Sequence, residues 1–278
     1  MIRAIRVAGL IGLLVAIASP AAAQMQYPLA IATADSGEIF VADRELPGIW
    51  RADNGKLTVY FQGSKKFRTP LNAVRCLALD RSGALLAGDS ATREVYRFDK
   101  DAKPVPLTNG EIGIPMGIAV NSQGEILVSD LELHRVVKVP DQGGKPELLA
   151  EVQAPRGVWI DSQDRLWVVC QEKDRQLVRI APDGKVETVV EGRPLQFPHT
   201  VVVGSDNWAY VTDGYARSVW RIAPGEKPQK WVSGDPLVNP VGMFMGKSGL
   251  LVVDPHAKAV FQIDASGKPT RLDLVVDK

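Results

Sequence analysis

A single unit recurs six times along this chain, and that recurrence restricts the fold more than any other property of the sequence. The clearest copy reads Pro115-Met-Gly-Ile-Ala-Val-Asn-Ser-Gln-Gly124, then Glu125-Ile-Leu-Val-Ser-Asp130. A short loop, Arg135-Val-Val-Lys-Val139, a glycine turn and Glu147-Leu-Leu149 follow. Each piece is a short apolar, β-branched run bounded by Asn, Asp, Ser or Gly, which is the pattern of strands and their turns. The third run is the easiest to trace. Its copies are Gly48-Ile-Trp-Arg-Ala52, Glu94-Val-Tyr-Arg-Phe98, Arg135-Val-Val-Lys-Val139, Gln176-Leu-Val-Arg-Ile180, Ser218-Val-Trp-Arg-Ile222 and Ala259-Val-Phe-Gln-Ile263. The second run ends in Asp43, Asp89, Asp130, Asp213 and Asp254, with Cys170 in the fourth copy, at intervals of 46, 41, 40, 43 and 41 residues.

A four-stranded antiparallel unit cannot bury both of its faces alone, so the copies must stack on one another, and radial closure leaves only short edges. The repeat therefore predicts an all-β chain folded as a single six-bladed β-propeller over residues 24–278. Its blades are expected at about 28–66, 70–109, 114–151, 154–192, 197–235 and 239–276. The 25 Gly and 19 Pro of the chain find their place as the turn and strand-start residues of this unit. The pattern starts with an innermost strand and finishes with an outermost one, so no shared blade is apparent; Met25-Gln26-Tyr27 is a candidate for closing the ring.

Residues 1–23 lie outside the repeat. Arg3 and Arg6 precede the apolar run Val7–Ser19, Pro20 breaks it, and Ala21-Ala22-Ala23 offers a small-x-small cleavage site. This is the organisation of a cleaved secretory signal, with an uncleaved N-terminal anchor as the alternative. The run is shorter than the roughly 20 apolar residues of a spanning helix, and no later segment approaches that length. The expected location is thus exported, in the periplasm or secreted. Export implies an oxidising compartment, but Cys76 and Cys170 are the only two cysteines and occupy different positions of different repeats, so no disulfide is expected between them. The charges nearly cancel, 33 Lys and Arg against 32 Asp and Glu, which argues against nucleic acid as a partner.

In a propeller the first strand of each blade lines the central channel, and the loops that enter first strands and leave second strands share one face. Aligning the repeats puts Leu29, Arg75, Met116, Arg156, His199 and Val241 at the start of the first strand, spaced by 46, 41, 40, 43 and 42 residues. Three of these six are potential cations, Arg75, Arg156 and His199. Guanidinium forks at a concave mouth suit carboxylate or phosphate. Lys65, Lys66 and Arg68 fall in the first interblade loop on the same predicted face. Met116 and Cys170 complete the set of candidate ligand-binding residues. A competing reading has each Arg paired with a second-strand Asp such as Asp89 or Asp130, bracing its blade. The recurring Asp itself reads as scaffold, capping loop backbone, as does His134; His256 is expected at the surface. Cys170 near Arg156 is a conceivable nucleophile, although an isolated buried thiol is ordinarily inert.

The unit P-x-G-I-A-V-N-x-x-G-x-I-L-V-S-D-x-x-x-H-R-V-V-K-V resembles the NHL repeat. The fourth copy, Pro155-Arg-Gly-Val-Trp-Ile-Asp-Ser-Gln-Asp-Arg-Leu-Trp-Val-Val-Cys170, resembles the SMP-30/gluconolactonase group. Both resemblances imply a six-bladed propeller. Their members include calcium- or zinc-dependent lactonases, a zinc-dependent amidating lyase and pure binding modules, so the likeness implies fold more firmly than chemistry. The lactonase pattern expects an acidic or amide metal ligand just after the first-strand proline, where this chain has Arg156 and Met116, and a Glu that Pro28-Leu-Ala-Ile-Ala32 lacks. The lyase pattern expects three His after such prolines, of which Pro198-His199-Thr200 supplies one. No cofactor is therefore expected, and calcium or zinc enters only under an alternative reading. The leading expectation is an exported, monomeric propeller that binds a small anionic molecule or an acidic protein segment at its mouth, with no catalytic metal. The alternatives are a metal-assisted lactonase-type hydrolase with altered ligands and a protein-docking scaffold. Whether the chain is an enzyme stays open at this level.

Overall fold

The computed structural model describes residues 25–66, 68–247 and 249–276; the expected signal segment, residues 1–23, lies outside the described residues. Among these residues every regular element is a strand and no helix occurs. Hence no helix is long and apolar enough to cross a membrane. The strands form six sheets, each built on four antiparallel strands that follow the chain from an inner strand outward. The inner strands are Pro28–Thr33, Val74–Leu79, Pro115–Val120, Val158–Ile160, Pro198–Val203 and Met243–Gly246. Each touches the inner strand of the next blade, and the sixth touches the first, so the sheets close into a six-bladed β-propeller around an axial channel.

The core is divided into six apolar clusters, each sandwiched between two neighbouring blades. The reason is visible in the second strands. The residues two before the repeat Asp or its counterpart Cys170, namely Val41, Ala87, Val128, Val168, Val211 and Val252, are all buried, because a mid-blade strand is covered on both faces by its neighbours. Burying each valine contributes roughly 1.5–3 kcal/mol, and the repeat multiplies that gain around the ring.

The recurring Asp ties five of the six blades together. Asp89 is fully buried and accepts from the backbone N–H groups of Leu71 (3.0 Å) and Ala73 (2.9 Å) ahead of the inner strand, and from Ala91 N–H and the Thr92 hydroxyl after the second strand. Asp43, Asp130, Asp213 and Asp254 make the same double cap. Each carboxylate thereby satisfies loop N–H groups that would otherwise be buried unpaired. The fourth blade has Cys170 there and improvises: Glu172 accepts from Gln153 N–H (2.9 Å), and His134 Nδ1 of the third blade accepts from Ala154 N–H (3.1 Å).

The ring closes through both ends of the described chain. Val275–Val276 adds a fifth strand, parallel to the outer strand Lys56–Gln62 of the first blade. Leu272, Leu274 and Val276 pack with Met25 into the cluster between blades six and one. The Lys258 ammonium also donates to the Gln26 side-chain oxygen at 2.8 Å. This lock was invisible in the repeat because Val275–Val276 is too short to read as a strand and pairs with residues more than two hundred positions away.

Candidate functional site

The six aligned positions come together. Leu29, Arg75, Met116, Arg156, His199 and Val241, joined by Thr200, line one cavity of ≈ 130 Å³ at the mouth of the channel. Their orientation follows from a local irregularity. In the first blade Pro28 pairs with Asp43 and Ala30 with Ala42, which leaves Leu29 as an extra residue; Arg75 and Met116 are extra in the same way, and the register also shifts between Pro198 and Val201. A bulge bends the strand and re-aims the bulged side chain, here out of the ladder and towards the axis.

The backbone around these side chains is fixed by bonds between blades. Gly157 N–H donates to His199 C=O (2.9 Å), the Ser129 hydroxyl to Arg156 C=O (2.5 Å), and the Thr212 hydroxyl to Val241 C=O (2.6 Å). A Cβ on Gly157 would stand 2.6 Å from Thr200 Cα and 2.7 Å from His199 C=O, so the fourth and fifth inner strands approach as closely as a bare glycine allows.

Among the described residues neither Arg75 nor Arg156 is paired with a carboxylate. Arg75 is exposed, and its Nε donates to the Ser90 hydroxyl at 3.0 Å. Arg156 is half-buried, its Nε is buried without a hydrogen-bond partner, and its guanidinium carbon lies 4.6 Å from the centroid of the Phe197 ring. The bracing arrangement is not formed. Asp89 is occupied by loop groups and Asp130 is ion-paired with Arg135. Acidic side chains on neighbouring loops are likewise engaged, Glu132 with Arg93 and Glu172 with Arg175. Burial lowers the Arg156 pKa and the charge of Arg75 lowers it further; two guanidiniums thus share the mouth and repel each other. Arg156 nonetheless remains protonated, since an arginine does not lose its charge near neutral pH.

His199 differs from the two arginines. It lines the mouth but is not a third cation, because burial, reinforced by the Arg156 charge and only partly opposed by Asp213, pulls its pKa down to about 4. At neutral pH it presents an uncharged imidazole, able to donate from one nitrogen and accept at the other. Cys170 does not reach the mouth. It is fully buried in the cluster between blades three and four, its Sγ lies 3.6 Å from Arg175 C=O, and burial pushes its thiol up to about 12, so it offers no thiolate. Cys76 is a separate buried thiol. Met116 lines the mouth as an apolar wall. Lys65 borders an adjoining groove of ≈ 280 Å³ that shares Leu29 and Arg75 with the mouth, whereas Lys66 and Arg68 do not line it.

Four contributors had no signal in the repeat alignment. Ser90 holds Arg75, and Thr200 completes the wall. Phe197 meets the His199 ring edge-on at 4.9 Å and stacks on Tyr215 at 4.6 Å with an interplanar angle of 17°. Tyr215, on the loop leaving the second strand of blade five, is 70% exposed. These aromatic side chains come from one blade only, so no periodicity marked them.

The donor set does not suit a divalent metal. Among the described residues two guanidiniums face the cavity, its only imidazole is His199, and no carboxylate lines it. Among the described residues no three His, Cys, Asp or Glu side chains are grouped to hold an ion anywhere.

Solved structures with this architecture are chemically diverse. Virginiamycin B lyase from Staphylococcus aureus superposes with a TM-score of 0.68 at 19% identity, over 89% of this chain and 84% of that one. A gluconolactonase from Xanthomonas campestris gives 0.70 at 16% identity, over 84% of each chain. The PQQ-bound aldose sugar dehydrogenase from Streptomyces coelicolor gives 0.67 at 16% identity, over 90% and 94%. A lyase, a lactonase and a dehydrogenase on one scaffold establish the fold and leave the reaction open. No curated protein matches the sequence. The family model for the SMP-30/Gluconolactonase/LRE-like region matches residues 17–212. With the first four blades and the inner strand of the fifth falling inside that match, the chain belongs to the SMP-30/gluconolactonase/LRE-like family.

Proposed function

We propose that this protein is an exported binding propeller whose mouth takes a small anion, or the acidic segment of a partner, without a catalytic metal. The observation that carries this reading is the pair Arg75 and Arg156, two guanidiniums converging on one cavity with no carboxylate among the described residues paired with either. A guanidinium Nε buried without a hydrogen-bond partner is costly, and an anion that accepts from it recovers the lost hydrogen bond. The neutral His199 adds a donor without adding charge. Export by residues 1–23 is part of the same proposal and rests on the sequence of that segment.

The test is calorimetric titration and thermal shift with inorganic phosphate and with a panel of carboxylates, on the wild type and on Arg156→Glu. Binding by the wild type, and its loss in a variant that still folds, is the expected result. Equal stabilisation of both proteins by these anions would overturn the proposal.

A lactonase-type hydrolase is the second reading, favoured by family membership. It would show as turnover of a lactone panel, assayed with and without chelator alongside metal analysis of the purified protein. Chelator-sensitive turnover with stoichiometric calcium or zinc would place it first.

A further inference from the structure

The mouth does not end at the two arginines. It opens into a channel of ≈ 250 Å³ along the propeller axis, and Leu29, Arg75, Met116 and Thr200 line both spaces, so mouth and channel are continuous. Of the described side chains lining the channel, only Arg75 carries a charge. The row just below the mouth, Ala30, Cys76, Gly117, Gly157, Thr200 and Gly242, consists of small residues, which leaves the throat open. Deeper walls are formed by Leu77, Ile118, Val158 and Met243. Trp159 and Phe244 stand three residues beyond the mouth row, about 10 Å further at the rise of a strand. Their rings meet edge to face at 5.4 Å and are the largest side chains lining the channel.

A cationic rim over a largely apolar shaft fits a molecule with the opposite division. We infer that the anion bound here is amphiphilic: a carboxylate head held between Arg75 and Arg156, with an unbranched aliphatic tail directed down the axis towards Trp159 and Phe244. This rests on the anion-binding reading above and names the class of ligand that the same site takes. The head is selected by the unneutralised guanidiniums. The tail is selected by removal of apolar surface from water, which tightens binding roughly fourfold for each methylene buried.

The experiment titrates the full mature chain with acetate, butanoate, hexanoate, octanoate and decanoate, with inorganic phosphate as a tail-less anion, and repeats the series on Arg156→Gln. The expected result is a Kd that falls roughly fourfold per methylene through the middle of the series. It should level off once the tail meets the Trp159–Phe244 pair. Arg156→Gln should weaken every acid by a similar factor while the chain-length slope persists. Tail location is read separately with ω-bromooctanoate, whose bromine should quench tryptophan fluorescence in the wild type and markedly less in Trp159→Phe. If acetate, phosphate and octanoate bind with the same Kd, the tail assignment is overturned while anion binding stands. If octanoate binds but the quenching is unchanged in Trp159→Phe, the tail is not in the channel and the inference likewise falls. If no anion of the series binds, the parent reading falls with it.

Discussion

Acidification should destabilise this propeller through one residue at its mouth. His199 has a pKa of about 4 in the folded protein, chiefly because it is buried and secondarily because Arg156 is charged, against about 6.5 in an unfolded chain. The folded state therefore holds the imidazole neutral where the unfolded state protonates it. The stability associated with the neutral form is complete above pH 6.5 and is lost progressively as pH falls from there to about 4. The gap of about 2.5 pH units corresponds to about 3 kcal/mol. Carboxylates elsewhere also titrate at low pH, so the contribution is isolated by a difference of differences. Urea unfolding of the wild type and of His199→Gln is compared at pH 7 and pH 4. The wild type should lose about 3 kcal/mol more than the variant, or roughly 6–12 °C in Tm for a domain of this size. Imidazole NMR supplies the direct check, because the chain has only 3 His. The His199 resonance should titrate near 4 and move upward in Arg156→Gln. Equal acid losses in the two proteins, or a His199 midpoint near 6.5, would refute the reasoning.

Other expectations follow from single contacts. Gly157→Ala drives a methyl to within 2.6 Å of the Thr200 backbone, so the fourth and fifth blades must separate; a loss of about 1–3 kcal/mol is expected in chemical denaturation. Asp89→Ala strands the Leu71 and Ala73 N–H groups in a buried loop, costing about 3 kcal/mol or more, whereas removing the exposed Glu45 carboxyl as an alanine should stay within about 0.5 kcal/mol. Replacing Leu272 and Leu274 together by alanine thins the apolar seam between blades six and one. Hydrogen exchange should then rise first in the strands that meet there, ahead of global unfolding. Cys170 and Cys76, whose thiols burial pushes up to about 12, should resist iodoacetamide at pH 8 in the folded protein and react fully in urea. Rapid native labelling would show that a thiol is accessible after all.

The repeat by itself determined a great deal. Six copies, five of them with an in-register Asp, required an all-β ring of four-stranded blades. Aligning those copies placed Leu29, Arg75, Met116, Arg156, His199 and Val241 at equivalent points, which the structure gathers into one cavity. Periodicity carries such information because each blade repeats the same local solution to strand, turn and cap, so equivalent sequence positions become equivalent places around an axis.

What the tertiary structure decided is the chemistry at those places. That Arg75 finds Ser90 and Arg156 finds the face of Phe197, with Asp89 and Asp130 already occupied by loop groups and Arg135, depends on hydrogen bonds and ring contacts invisible to a repeat. That His199 is neutral depends on how much water is removed from it and on a guanidinium from the preceding blade. Ring closure depends on Val275–Val276 pairing with the first blade across nearly the whole chain. Desolvation and long-range charge are sums over neighbours from several blades, and a single blade's sequence does not contain them. The spacing of the repeats states where side chains meet; only their packed surroundings set which are charged and which are paired.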